Sequence, residues 1–195
     1  MDRRIPSGPK LLSALSIAAL VTVSLPVSTQ SQSSAGATAA SMLPRSVVVP
    51  ITVVSRLFPE MTREASTGEN QAAAATAKAT RLVIFANADG LKKVTLSVDQ
   101  YATPSDASSA FREAVEKSKS VPGYKPVTVP TMGQQSMAGA VTQGAETHVG
   151  IGVLEGDLIF GATTAGYDVT PQNMDKLLAL TRQQAAAGKK AMRKH

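Results

Sequence analysis

The sequence contains no cysteine and no tryptophan, and only 4% of its 195 residues are aromatic. Without cysteine there is no disulfide, no thiolate nucleophile and no lipid anchor on a cysteine. The shortage of aromatic rings disfavours recognition by stacking on sugars or bases. A domain built from this chain must therefore be stabilised by ordinary packing of its many Ala, Val and Leu side chains.

The excess of positive charge, a net +6, is concentrated at the two ends of the chain. Three basic residues and one acidic residue lie within the first ten positions: Arg3, Arg4, Lys10 and Asp2. Four more basic residues lie within the last seven positions: Lys189, Lys190, Arg193 and Lys194. The chain between these ends is formally neutral and lacks the basic surface of a nucleic-acid-binding domain, so the sequence predicts no nucleic-acid partner.

The N-terminus has the three parts of a secretory signal peptide. Its basic residues precede an apolar run over residues 11–27, and Ala35-Gly36-Ala37 provides a cleavage site of small residues. The run is slightly short for a membrane-spanning helix, which needs about 20 apolar residues. We expect residues 1–37 to be removed, leaving an exported protein, periplasmic or secreted, with no stable membrane span. An uncleaved N-terminal anchor is the alternative.

The rest of the chain is long enough for one domain with a real core. We expect a disordered lead-in over residues 38–46, a single domain over residues 47–188, and a basic tail over residues 189–195. Gly188 is expected to end the last helix before that tail. Residues 47–58 favour a short helix, and residues 61–79 a long polar loop.

The first of two predicted hairpins has Asp89-Gly90 at its turn. One of its faces is apolar: Val83, Phe85, Val94, Leu96 and Val98. The other face is mixed: Leu82, Ile84, Ala86, Lys93, Thr95 and Ser97. We expect the apolar face to enter the core, and the helix over residues 47–58 to cover the mixed face.

The second predicted hairpin turns at Glu155-Gly156. A two-residue loop there pairs the apolar residues of its core face as follows: Val153 with Leu158, Ile151 with Phe160, and Val149 with Ala162. The other face carries small or polar residues and one isoleucine: His148, Gly150, Gly152, Ile159, Gly161 and Thr163.

Thr103-Pro104 and Thr170-Pro171 are each typical of a helix start, because threonine caps the first turn and proline suits the first helical position. Residues 124–129 and 134–142 are expected to be further strands. The order of these elements predicts an α+β fold. It would have an antiparallel sheet built from two hairpins plus edge strands, with helices packed on one side.

The sequence lacks recognisable catalytic, phosphate-binding and metal-binding motifs. There is no G-x-S-x-G elbow, no glycine-rich loop entering a helix and no spacing of His, Asp and Glu that fits zinc, so no cofactor or metal is predicted. His148 is the one histidine inside the domain, with Glu146 two residues before it. The simplest interpretation is a solvent-facing polar residue, and a small envelope hydrolase using His148 is the alternative function.

The most unusual feature of the predicted domain is three glycines on one face of the second hairpin. Glycine weakens a strand and often marks a place where a ligand or another backbone approaches closely. With their neighbours they form a candidate binding site: His148, Gly150, Gly152, Gly161 and Thr163. The sequence thus indicates a non-catalytic binding or accessory domain, whose partner is a small apolar ligand or an envelope protein. A closely packed helix is the structural alternative, and the oligomeric state stays open.

Several turns and caps follow a pattern of small exported bacterial domains. The matching pieces are residues 107–119, Val121-Pro122-Gly123-Tyr124, Gly133-Gln134, Glu155-Gly156-Asp157 and residues 170–181. In this layout the chain resembles the LpqN-type mycobacterial lipoproteins and, more distantly, PsbP-like domains, although it lacks the anchoring cysteine of the lipoproteins. The resemblance implies a fold and transfers no functional residue.

Overall fold

A computed structural model of the chain describes residues 41–67 and 76–193. Its strands are β1 (Ser41–Met42), β2 (Arg63–Thr67), β3 (Ala79–Ala86), β4 (Lys93–Gln100), β5 (Tyr124–Pro126), β6 (Gln135–Gln143), β7 (Glu146–Glu155) and β8 (Leu158–Ala165). Its helices are α1 (Ile51–Leu57), α2 (Pro104–Lys119) and α3 (Pro171–Met192), with a 3₁₀ turn at Arg45–Val47. The predicted signal peptide lies outside the described residues.

In this part of the chain the eight strands form one sheet in the order β1-β3-β4-β8-β7-β6-β5, and β2 also pairs with β3. Every pairing is antiparallel except that of β1 with β3. The predicted α+β class and antiparallel sheet are confirmed. The predicted helix starts also agree with the structure, because Thr103 and Thr170 each accept a backbone N–H of the first turn.

The first hairpin has the predicted register, with Phe85 opposite Val94. Its connection is wider than a two-residue turn, because β3 ends at Ala86 and β4 begins at Lys93. Within the connection only Gly90 takes a positive φ, of 76°. The side chains of Asn87 and Asp89 accept backbone N–H groups within the turn and hold it together.

The predicted pairing of the second hairpin is wrong by two residues, since Val153 lies opposite Phe160 rather than Leu158. The loop is Gly156-Asp157, and only its glycine has a positive φ, of 62°. A glycine at the first loop position suits a type II′ turn, which the Glu155-Gly156 loop could not form. A shift of two residues leaves every side chain on its predicted face, so the face assignment is unaffected.

Helices cover both faces of the sheet, so the expectation that they all pack on one side is wrong. The main core joins one sheet face to α1 and α3, with these residues among its members: Val54, Phe85, Leu96, Ile151, Phe160, Leu177 and Leu180. On the other face, Phe111 of α2 packs with Leu154 and Ile159. Near Leu154 and Ile159, strands β7 and β8 carry apolar side chains on both faces. Each face is therefore covered by a helix.

The segment over residues 47–58 also packs on the main core, and not on the mixed face of the first hairpin as expected. Gln184 of α3, fully buried, explains this position. Its side-chain amide donates to the Val47 carbonyl and accepts from the Val49 N–H, both at 3.0 Å. Residues 47–49 belong to no strand, so these two hydrogen bonds satisfy backbone groups that the sheet does not pair.

Two segments that were expected to lack regular structure contain strands. The lead-in over residues 38–46 contains β1, and the loop over residues 61–79 contains β2. Both pair with the outer edge of β3. Neither strand could be predicted from apolar alternation, because exposed edge strands need no apolar face.

The last helix passes through Gly188 and ends at Met192, so residues 189–192 of the expected tail are helical. Gly188 is buried, and a Cβ added there would collide with the Phe160 ring. The glycine therefore allows close approach of α3 to the sheet rather than ending the helix. Beyond it, Lys189 Nζ lies 3.1 Å from Glu155 Oε1, and Ala191 and Met192 pack against the core.

Deleting residues 189–195 is consequently expected to lower Tm by about 2–8 °C, because it exposes apolar surface under the last helical turn. Thermal unfolding followed by circular dichroism measures the change. Lys190→Gln is the control, since Lys190 is exposed and its loss changes charge without changing packing. An unchanged Tm in the deletion variant would show that the last turn does not dock.

Candidate binding site

The five residues predicted as a binding site lie together on one face of β7 and β8. Gly152 pairs with Gly161, Gly150 pairs with Thr163, and His148 lies opposite Ala165. Neighbouring strands are about 4.8 Å apart, so these positions are adjacent across the sheet. Their role as a site stays a prediction.

Strand β4 lies beside β8 and adds residues that the sequence analysis did not connect with the site. Ser97 lies opposite Gly161, and Thr95 lies opposite Thr163. Six small residues on three neighbouring strands thus form a continuous patch, here named the small-residue floor: Thr95, Ser97, Gly150, Gly152, Gly161 and Thr163.

The three hydroxyl groups of the floor are more than nine-tenths buried. Thr95 and Ser97 are each 6% exposed, and Thr163 is 7% exposed. On this face Thr80 donates to Asp99. The three hydroxyls are not among the buried polar atoms of the described residues that lack a hydrogen-bond partner.

Larger side chains border the floor on two sides. Leu82 and Ile84 of β3 lie opposite Ser97 and Thr95. On the other side Met137 lies opposite Gly152, and the Tyr124 ring covers Gly139, where an added Cβ would collide with it. The floor is therefore a strip of short side chains between two apolar borders, here named the trough.

One end of the trough is closed by the apolar contact of α2 with Leu154 and Ile159. Asp99 lies at the same end, opposite Ile159, and is 3% exposed. Burial raises the pKa of its carboxyl to about 6, although the hydrogen bond from Thr80 Oγ1, at 2.5 Å, acts in the opposite direction. Burial, helped by the nearby Asp99 charge, also raises the pKa of Tyr101.

The other end carries a line of basic side chains across the sheet, here named the basic row: Arg63, Lys93 and His148. Lys93 and His148 both lie opposite Ala165, and Arg63 lies opposite Ala86, the partner of Lys93. Neither Arg63 nor Lys93 forms an ion pair within the described ranges of the chain. The trough is therefore positive at one end and carries a buried acid at the other.

His148 has little around it that would make it a catalyst. Its Nε2 atom lies 3.6 Å from Glu146 Oε2, which is too long for a hydrogen bond. In the part of the chain that the structure describes, no serine or threonine hydroxyl is hydrogen-bonded to His148, and no three His, Asp or Glu side chains are placed to hold a metal ion. The His148 hydrolase stays the alternative prediction.

Comparison with known proteins shows no family for this chain. No family model and no curated protein matches the chain. The extracellular domain of PknH from Mycobacterium tuberculosis is similar at 9% sequence identity and a TM-score of 0.49, covering 72% of this chain and 93% of that chain. No helix among the described residues is long and apolar enough to cross a membrane.

Proposed function

We propose that the protein is an exported, non-catalytic binding domain of the cell envelope, and that the small-residue floor binds a small apolar ligand. The observation that carries the proposal is the grouping of three glycines with Thr95, Ser97 and Thr163 on three neighbouring central strands. Packing alone would place larger side chains on central strands, since valine and threonine fit a pleated surface better than glycine.

Export is supported by the N-terminal sequence, where basic residues, an apolar run and small residues follow one another as in a signal peptide. The resemblance in layout to LpqN-type lipoproteins and PsbP-like domains agrees with such a location. An envelope protein that inserts an apolar side chain into the trough is the alternative partner.

Gly152→Val is expected to abolish binding of an apolar probe while leaving the protein folded. Two branched methyl groups would fill the middle of the floor, whereas valine itself is well suited to a strand, so stability should change by less than about 1 kcal/mol. Fluorescence titration with the neutral dye Nile red measures binding, and thermal unfolding measures stability.

Ala145→Val is the matched control, because Ala145 is exposed in the turn before β7 and outside the floor. Loss of dye binding in Gly152→Val alone supports the proposal. Equal dye binding in both variants would contradict it. A Gly152→Val variant that unfolds would also contradict it, since the glycines would then serve close packing.

A further inference from the structure

A cleft of about 440 Å³ is lined by α2 and the start of β6. Five α2 residues and one β6 residue form its lining: Ser109, Arg112, Glu113, Val115, Glu116 and Gln135. Val115 and Met137 both pack against the apolar cluster under α2, which gives the cleft an apolar base. The volume is within the range of small-molecule sites, about 300–1,000 Å³. None of the lining residues belongs to the small-residue floor.

Two side chains of opposite charge in this cleft are not paired with each other. Arg112 and Glu116 are four residues apart on α2, a spacing at which ion pairs commonly form. Glu116 instead accepts from Lys119 Nζ at 2.7 Å. The Arg112 guanidinium donates to Ser109 Oγ at 3.3 Å and forms no ion pair with any residue of the described ranges. A cation without an acidic partner and a carboxylate thus line the same cleft.

A zwitterion complements these charges better than a ligand of one sign. A purely anionic ligand would lie beside the carboxylates of Glu113 and Glu116, and a purely cationic one beside Arg112. A carboxylate can accept several hydrogen bonds, so Glu116 can bind a ligand ammonium while it keeps its contact with Lys119.

The spacing of the two charges fits a molecule of dipeptide size. The Cβ atoms of residues four apart on a helix are about 5–6 Å from each other. The two Cα atoms of a dipeptide are about 3.8 Å apart, which places its terminal ammonium and carboxylate about 5–6 Å apart. Such a molecule can therefore contact Arg112 and Glu116 at the same time.

We infer that the cleft binds a short zwitterionic peptide, of dipeptide size and with apolar side chains. Its carboxylate contacts Arg112 and Gln135, its ammonium contacts Glu116, and its side chains lie against Val115. The inference concerns a second site and does not rest on the proposed binding function of the small-residue floor. Because the charged side chains of the cleft are exposed, binding is weak, with a Kd on the order of 1 mM.

The test is an NMR titration of the isotope-labelled protein with leucylleucine, its N-acetyl form and its C-terminal amide. The three probes share both apolar side chains, and each blocked form lacks one terminal charge. Wild-type protein should bind leucylleucine about threefold more tightly than either blocked form, and added salt should reduce this preference, since exposed ion pairs are weak and screened. The backbone signals that shift should be those of α2 and of Gln135.

Variants of the two charged residues separate the two ends of the probe. Arg112→Gln should no longer prefer leucylleucine to its amide, and Glu116→Gln should no longer prefer it to the N-acetyl form. Both side chains are exposed, so neither change should alter folding. Arg182→Gln is the matched control, since Arg182 is an exposed arginine of α3, on the other face of the sheet from α2. It should keep both preferences.

Four results would overturn the inference. Equal affinity of wild-type protein for the three probes would show that neither terminal charge is recognised. Shifts that avoid α2 and Gln135 would place the site elsewhere. Preferences that survive Arg112→Gln and Glu116→Gln, or that Arg182→Gln removes, would show that the cleft charges do not hold the probe. If no signal shifts at tens of millimolar probe, the cleft binds no such peptide. Nile red binding to the small-residue floor is measured separately, so any of these results leaves the proposed function standing.

Discussion

Replacing Phe160 by alanine is expected to lower the free energy of unfolding by about 3–5 kcal/mol. The Phe160 ring is fully buried on a central strand, between the sheet and α3, and Gly188 lies against it. Removing the ring leaves a cavity that neither neighbour can fill, because α3 already lies as close as its glycine allows. Urea unfolding followed by circular dichroism measures the loss.

Leu91→Ala is the control for this experiment, because Leu91 is 72% exposed in the first hairpin turn. That change should alter stability by less than about 0.5 kcal/mol. If Phe160→Ala behaved like Leu91→Ala, the face assignment of β8 would be wrong, and with it the position of the floor on the opposite face.

Asp99→Asn is expected to stabilise the protein at pH 7 by about 3 kcal/mol and to have little effect at pH 4. Burial raises the pKa of this carboxyl from 3.8 to about 6 in the folded protein, so folding favours the protonated form. The free energy of unfolding of the wild type therefore falls as the pH rises from about 4, and the loss is complete above about pH 6. Asparagine stays neutral and still accepts the hydrogen bond from Thr80.

Urea unfolding of both proteins at several pH values measures the difference, which isolates Asp99 from other titrating groups. Glu60 is one of these, and its lowered pKa gives the opposite pH dependence. Asp175→Asn is the control, since Asp175 is exposed on α3 and the charge change is the same. A constant difference between wild type and Asp99→Asn from pH 4 to pH 7 would show that folding does not shift the pKa of Asp99.

About half of the candidate site could be derived from the sequence. Alternation along the second hairpin placed all five predicted residues on one face, and even a pairing error of two residues did not change that face. The contribution of β4 could not be derived, because the partner of β8 is distant in the sequence. The mixed face of the first hairpin already contained Lys93, Thr95 and Ser97, but nothing local indicated that β4 would lie beside β8.

The sequence was sufficient to predict those elements that depend only on residues close together in the chain. Thr103 and Thr170 begin helices because each side chain caps the turn that follows it. Alternating apolar residues likewise determined the strands and faces of both hairpins, because side chains on a strand alternate between two faces. The α+β class follows from the order of these elements.

Segments without a local sequence pattern take positions that only the tertiary structure decides. The polar strands β1 and β2 pair with the edge of β3, which exists only after the sheet has formed. Gln184 forms hydrogen bonds with Val47 and Val49, more than a hundred positions away in the sequence. A glycine at position 188 is typical of a helix end, yet Gly188 lies inside α3. Glycine is needed there because the Phe160 ring leaves no space for a Cβ. The sequence by itself determined the elements and their faces, since those depend on short-range periodicity. The small-residue floor, the second helical layer and the basic row depend on which strands become neighbours, and that is decided by burial of the whole core.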